Sequence, residues 1–330
     1  MKILNFKKEE LFFLLLFAVE FTYYLLILQT GIVEYHHSNL KEIWMLPVGG
    51  ISGIILSIKL FDSRKKWVSL LLLVQMLLTL FYPNINVIGL FTLGVISGVT
   101  APILIYRINN IAIAITALGL SYFLGTTLFF IEAHDRVSVA FILSLVAFFA
   151  SFFANVDKEK KHTYKTISIY TMSSIFLWLL LDAALFETLS RDTFMHLWGV
   201  SEYMGRVIIF HIIGLIVAYI FRKWHYNDIA IVALFIISYV SYSGASKELL
   251  AVVYPFAISY YNGAILYRLM KISYLPLAIV SLSLWGASGL GLLIALIHSF
   301  MIAWLLLLAL AVITFIKHAR ASSCGWCSLI

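Results

Sequence analysis

Asp157-Lys158-Glu159-Lys160-Lys161-His162-Thr163-Tyr164-Lys165 is the only long polar run in an otherwise apolar sequence, and it decides the fold. It divides the 330 residues into two hydrophobic halves of nearly equal length. The chain is 62% hydrophobic and only 12% charged, too little charge to cover the surface of a soluble domain. The length of its apolar runs is close to that of the roughly 20-residue helix that spans a bilayer core. The runs lack the alternation of apolar and polar residues that is typical of membrane barrel strands. We therefore predict an all-α polytopic membrane protein.

The polar breaks predict twelve transmembrane helices, which we number as spans 1 to 12. The first ten cover residues 11–32, 43–60, 67–82, 87–106, 111–131, 137–155, 166–185, 203–221, 229–242 and 248–270. The last apolar run, 272–316, is long enough for two spans, and a break at Ser288-Gly289-Leu290-Gly291 gives spans 11 and 12. Two six-helix bundles follow, at 1–155 and 166–318, with a linker at 156–165 and a tail at 319–330.

The distribution of basic residues predicts the sidedness of these spans. Of the 23 lysines and arginines, 18 lie on the side of the N-terminus. The other five are Lys41, Arg136, Arg191, Arg206 and Lys247. Cytoplasmic loops hold the excess of positive charge, so we expect both termini in the cytoplasm. The short loops and the lack of a periplasmic domain favour the inner (plasma) membrane. This topology also accounts for the net charge of +7. We therefore expect the lipid bilayer, and no nucleic acid, as a partner.

Two pairs of matching helix ends indicate an internal duplication. Arg64-Lys65-Lys66-Trp67 follows span 2 and Arg222-Lys223-Trp224 follows span 8, and the two tryptophans are 157 positions apart. Span 4 ends in Ile103-Leu104-Ile105-Tyr106-Arg107 and span 10 in Ala264-Ile265-Leu266-Tyr267-Arg268, 161 residues later. Similar offsets in helices of the same orientation favour two parallel repeats. The alternative is that basic and aromatic residues end any cytoplasmic helix boundary.

Spans 2 and 4 are rich in small residues. Gly49, Gly50 and Gly53 lie in span 2, and span 4 carries Gly94-x-x-x-Gly98, a pattern that lets helices approach closely.

Two six-helix halves, a charged central loop, a glycine-rich span 2 and a basic loop after it together resemble the major facilitator superfamily. That family typically carries Gly-x-x-x-Asp-Arg-x-Gly-Arg-Arg between helices 2 and 3. Here the corresponding stretch is Ile58-Lys59-Leu60-Phe61-Asp62-Ser63-Arg64-Lys65-Lys66, which keeps the acid and the basic cluster without the glycines. The resemblance implies a central cavity between two bundles, lined by helices 1, 4, 7 and 10 and open to each side in turn. It also implies that Asp62, Arg64, Lys65 and Lys66 stabilise one gating state.

Ionisable and polar side chains inside the spans are candidates for substrate binding or proton coupling, because a bilayer penalises them unless they are paired or line water. The members of this set are Glu20, Gln75, Asp182, Arg206, His211, Tyr260, Tyr261 and Asn262. Glu20, in the middle of span 1, suits a proton-coupling site or a partner for a cationic substrate. The alternatives are a protonated glutamic acid bonded to another helix, a neutral core histidine at His211, and simple packing for the tyrosines.

A metal site is a further hypothesis. The outer loops collect His36, His37 and His196 near carboxylates, and the tail carries Cys324-Gly325-Trp326-Cys327, whose thiolates can bind a soft metal. Solvated loops and an incidental tail are the alternatives, and we predict no cofactor.

Motifs for nucleotide hydrolysis and for common hydrolases are missing from the sequence. We therefore expect no enzyme but a monomeric secondary active transporter of a small molecule or ion. The alternatives are a ten-helix drug/metabolite-type carrier and a non-transporting membrane assembly factor or enzyme that handles a metal.

Overall fold

The computed structural model of the chain describes residues 7–35, 40–60, 64–154, 156, 167–198 and 200–323. Helix accounts for 84% of it, and the described residues form no strand. The chain divides into two compact units, Met1–Lys161 and His162–Ile330, and this division falls within the polar run at 157–165.

The described residues of the first unit form six long helices. They are α1 (Lys8–Tyr23), α2 (Met45–Leu60), α3 (Arg64–Thr79), α4 (Val87–Arg107), α5 (Ile111–Leu128) and α6 (Val137–Phe153). Helix α1 continues without a break as a π-helix over Tyr24–Ile32. Short helical turns cover Val33–Tyr35, Leu40–Ile43 and Ala133–Asp135.

The glycines of α2 and α4 bring the two backbones into contact, as the sequence predicts. A Cβ atom added at Gly49 would lie 2.1 Å from the carbonyl oxygen of Phe91, and one added at Gly98 would lie 2.1 Å from that of Gly50. Only residues without a side chain permit this approach.

Six long helices also lie in the part of the second unit that the structure describes. They are α7 (Ile169–Arg191), α8 (Ser201–Ile220), α9 (Asn227–Ser243), α10 (Lys247–Leu269), α11 (Tyr274–Leu296) and α12 (Phe300–Ser323). Helix α7 extends beyond its predicted end at residue 185, and within this extension Arg191 pairs with Glu187 one turn earlier at 3.0 Å.

The predicted break at Ser288-Gly289-Leu290-Gly291 is wrong. This stretch lies inside α11, where Gly291 packs so closely on α7 that an added Cβ would lie 2.6 Å from the Cβ of Ala183. The apolar run 272–316 is interrupted instead after Leu296, and His298 there adopts a left-handed backbone conformation with φ 48°. Close helix packing, not a turn, therefore accounts for the glycine.

Corresponding helices pack together in both units. In the first unit, α1 contacts α5 and α6, α2 contacts α4, and α3 contacts α4 and α6. In the second, α7 contacts α11 and α12, α8 contacts α10, and α9 contacts α10 and α12. Each pair of the second unit lies six helices after its counterpart, and this correspondence favours a duplication.

Twelve helices of 16 to 24 residues lie within the described ranges. Eight are long and apolar enough to cross a membrane by length and composition: α1 with its π-helical extension, α4, α5, α7, α8, α10, α11 and α12. Large apolar side chains such as Phe315 and Ile88 are 76% and 75% exposed, as lipid-facing residues are. These features indicate a multi-pass membrane protein.

Candidate functional site

Glu20 lies in α1 and is held by an amide from another helix. The Nε2 atom of Gln75, in α3, donates to Oε1 of Glu20 at 2.9 Å and lies 3.4 Å from Oγ of Ser144 in α6. Gln75 is buried, while Glu20 is half-buried. The structure therefore brings together two sequence candidates and adds Ser144, so that three helices meet at one polar contact.

The π-helical part of α1 begins one turn after Glu20. Stretches of π-helix recur at functional sites because the wider turn leaves backbone carbonyls free for other donors. Here the hydroxyl of Thr30 donates to the carbonyls of Leu25 at 2.9 Å and Leu26 at 3.1 Å. The backbone of α1 is therefore irregular one turn after Glu20.

Arg136 holds this irregular segment. Its Nη1 atom donates to the carbonyl of Leu26 at 3.0 Å and to Oγ1 of Thr30 at 3.2 Å, and the residue is 1% exposed. The sequence places Arg136 among the outer basic residues, and nothing in its pattern signals a buried guanidinium.

In the second unit, Asp182 of α7 is bound by two tyrosines of α10. The hydroxyl of Tyr254 lies 2.9 Å from Oδ1 of Asp182, and the hydroxyl of Tyr261 donates to Oδ2. Both tyrosines are fully buried, and Asp182 is 9% exposed. Hydrogen bonds to both carboxylate oxygens fix the group in one orientation.

Tyr254 is a site residue that the sequence analysis missed. It precedes Tyr261 by seven residues, two turns of helix, which places both hydroxyls on the face of α10 that meets Asp182. Tyr260, which the sequence groups with Tyr261, points elsewhere and donates to Oδ1 of Asn227. The run Tyr260-Tyr261-Asn262 therefore does not form one site, and Asn262 is half-buried.

His211 and Arg206 of α8 do not meet. Nδ1 of His211 lies 2.7 Å from Oγ of Ser259, and the residue is 2% exposed, which is the geometry of a core histidine satisfied by a hydroxyl group. Arg206 instead pairs with Glu248, and both side chains are exposed. The hydroxyl of Tyr203 also donates to Glu248 at 3.0 Å.

Part of the gating cluster lies outside the described residues. This holds for Asp62 and for the side chain of Arg64. Lys65 and Lys66 lie in the first turn of α3, where Lys65 is half-buried and Lys66 exposed.

Most of the hypothetical metal ligands also lie outside the described residues, namely His36, His37, Cys324 and Cys327. His196 is half-buried in the loop between α7 and α8. In the described part of the chain, Glu132, His134 and Asp135 place possible ligand atoms within 4.8 Å of one another, but all three residues are exposed. Exposed acidic groups often cluster in this way without an ion.

No protein-family model matches the chain, and no curated protein matches it. The function must therefore be inferred from the carboxyl groups of Glu20 and Asp182 and from their surroundings.

Proposed function

We propose that the protein is a secondary active transporter that moves a small solute by alternating access and couples this movement to protons through Glu20. The observation that carries the proposal is the recurrence of one arrangement. The first helix of each unit has a carboxyl group near its middle, Glu20 in α1 and Asp182 in α7, bound by polar side chains of other helices. The two lie 162 residues apart, close to the offsets of 157 and 161 between the matching helix ends.

The partners of these carboxyl groups are neutral. Gln75 binds Glu20, Tyr254 and Tyr261 bind Asp182, and the ion pairs of the described residues involve neither acid. A lysine or arginine partner would keep a carboxylate charged, whereas an amide or a hydroxyl group allows it to gain and lose a proton. Ionisable groups inside a membrane are costly and typically mark substrate or proton pathways.

Coupled transport requires Glu20 to exchange protons with only one side of the membrane at a time. The π-helix that follows Glu20 supports this, since a backbone with an alternative hydrogen-bond register can shift between two arrangements. The resemblance to the major facilitator superfamily is consistent with such a mechanism, with two six-helix bundles moving relative to each other.

Proton release or uptake by the purified, detergent-solubilised chain tests the proposal. The ligand panel comprises amino acids, sugars, drugs, organic cations, and copper and other metal ions. Wild type, Glu20→Gln and Asp182→Asn are compared with Glu248→Gln, which changes a carboxylate that is 62% exposed. We expect a ligand-induced proton signal in wild type and Glu248→Gln and its loss in Glu20→Gln.

A ligand identified in this way is then tested for gradient-driven uptake into proteoliposomes. Unchanged uptake by Glu20→Gln would refute the coupling role of Glu20. Silence of folded wild type across the panel would count against proton coupling as a whole and favour an uncoupled carrier or the assembly-factor alternative.

A further inference from the structure

A basic cavity of about 410 Å³ lies at one end of the second unit. It forms where α7 begins, α8 turns into α9, and α10 and α12 approach their ends. Its cationic lining residues are Arg222, Lys223, Arg268, Lys271 and Lys317. The count of basic residues predicts that this end faces the cytoplasm.

The charges of this lining do not balance. Among the described residues that line the cavity, Asp228 is the only carboxylate, and Arg268 and Lys317 share it, with Nζ of Lys317 at 2.7 Å. Three further cations, Arg222, Lys223 and Lys271, line the same cavity. The part of the lining that the structure describes therefore keeps a net positive charge after its ion pairs have formed.

One donor of the cavity is unsatisfied. Arg268 binds Asp228 through Nη2, but its buried Nη1 atom has no hydrogen-bond partner among the residues that the structure describes. A guanidinium presents donors in a planar fork that matches the oxygens of a phosphate group. An anionic oxygen in the cavity would offset the excess charge.

We propose that this cavity binds a phosphate-bearing anion, supplied either by the headgroup of an anionic membrane lipid or by a soluble phosphate compound. The volume is within the range of small-ligand sites, roughly 300–1,000 Å³. Basic pockets between transmembrane helices on the cytoplasmic side are suited to anionic lipid headgroups. Trp224 and Tyr226, which are 43% and 44% exposed at this end, are of the residue types that mark the membrane interface.

The test uses the delipidated full chain in detergent, with binding followed by thermal shift and by native mass spectrometry. One arm titrates phosphatidylglycerol against phosphatidylcholine, and a second titrates inorganic phosphate at constant ionic strength. The double variant Lys223→Gln/Lys271→Gln removes two cations that do not bond to Asp228. The matched control, Lys7→Gln/Lys8→Gln, removes the same charge from two exposed side chains of the first unit.

Affinity for the anion should fall about fivefold for each cavity lysine removed, since a basic residue near an anionic surface contributes about 1 kcal/mol. The control should bind as wild type does. Asp228→Asn should have the opposite effect and raise the affinity for the anion, because it removes the carboxylate that competes for Arg268 and Lys317.

The pattern of binding identifies the source of the anion. Binding of phosphatidylglycerol without inorganic phosphate indicates a lipid headgroup, and competition by inorganic phosphate indicates a soluble ligand. The proposal is overturned if folded wild type binds neither, or if the control loses as much affinity as the cavity variant. None of these results depends on transport or on Glu20.

Discussion

Replacing Arg136 with methionine removes the group that holds the π-helical part of α1 to the loop before α6. In the native protein, Nε donates to the carbonyl of Ile131 at 2.8 Å and Nη2 to that of Phe129 at 3.1 Å. Nη1 donates to the carbonyl of Leu26 and the hydroxyl of Thr30. Methionine is also long and unbranched, so the change removes hydrogen bonds with little loss of packing.

The expected change in the free energy of unfolding depends on which acceptors keep a hydrogen-bond donor in the variant. The carbonyl of Leu26 still receives the Thr30 hydroxyl at 3.1 Å. The half-buried carbonyls of Phe129 and Ile131 lose the arginine donor, at about 1–2 kcal/mol each. Relief of the desolvation of a buried guanidinium acts in the opposite direction. We therefore expect Arg136→Met to lower the free energy of unfolding by about 2 kcal/mol.

Reversible unfolding in mixed micelles measures this change, with Arg206→Met as the control. The Arg206 side chain is 37% exposed and pairs with Glu248, which is 62% exposed. An exposed ion pair contributes about 0–1 kcal/mol, so the control should lose little stability. Equal losses in the two variants, or an Arg136→Met protein as stable as wild type, would refute the reasoning.

Two further predictions concern packing and pH. Gly49→Ala should destabilise the protein because the new Cβ would lie 2.1 Å from the Phe91 carbonyl oxygen, whereas Gly125→Ala meets nothing within 4 Å and should be neutral or stabilising by up to about 1 kcal/mol. Similar unfolding free energies for the two variants would contradict this account of the α2–α4 contact. For Asp192, partial burial alone would raise the pKa, but hydrogen bonds from Met195, Tyr242 and Phe194 and the charge of Lys247 lower it overall. Its contribution to stability is therefore present above the unfolded pKa of about 3.9 and is lost as the pH falls through the lower folded value. Asp192→Asn should flatten the stability profile below about pH 4, and an unchanged acid limb would argue against this role.

Helix positions were largely predictable because they depend on properties that are local in the sequence. The predicted span 87–106 corresponds to α4 at Val87–Arg107, which begins where the side chain of Asn86 accepts from the N–H of Gly89 at 2.9 Å. The end of α7 was less predictable, since the helix continues to Arg191 through the polar residues that follow the apolar run.

The site was predictable only as single residues. Glu20, Gln75, Asp182 and Tyr261 stand out because polar groups are costly in apolar helices. Their partners are not encoded locally: Gln75 is 55 residues from Glu20, and Tyr254 is 72 residues from Asp182.

The sequence by itself determined the all-helical class, the apolar character of the helices and the positions of most of them. Those properties depend on the composition and length of each apolar run, which are independent of the segments that pack against it. Only the tertiary structure decided that Arg136 binds the π-helix, that Tyr254 rather than Tyr260 joins Tyr261 at Asp182, and that five cations of the second unit surround one cavity. Each of these depends on how a helix is rotated and how closely it approaches the next, and packing between distant segments sets both.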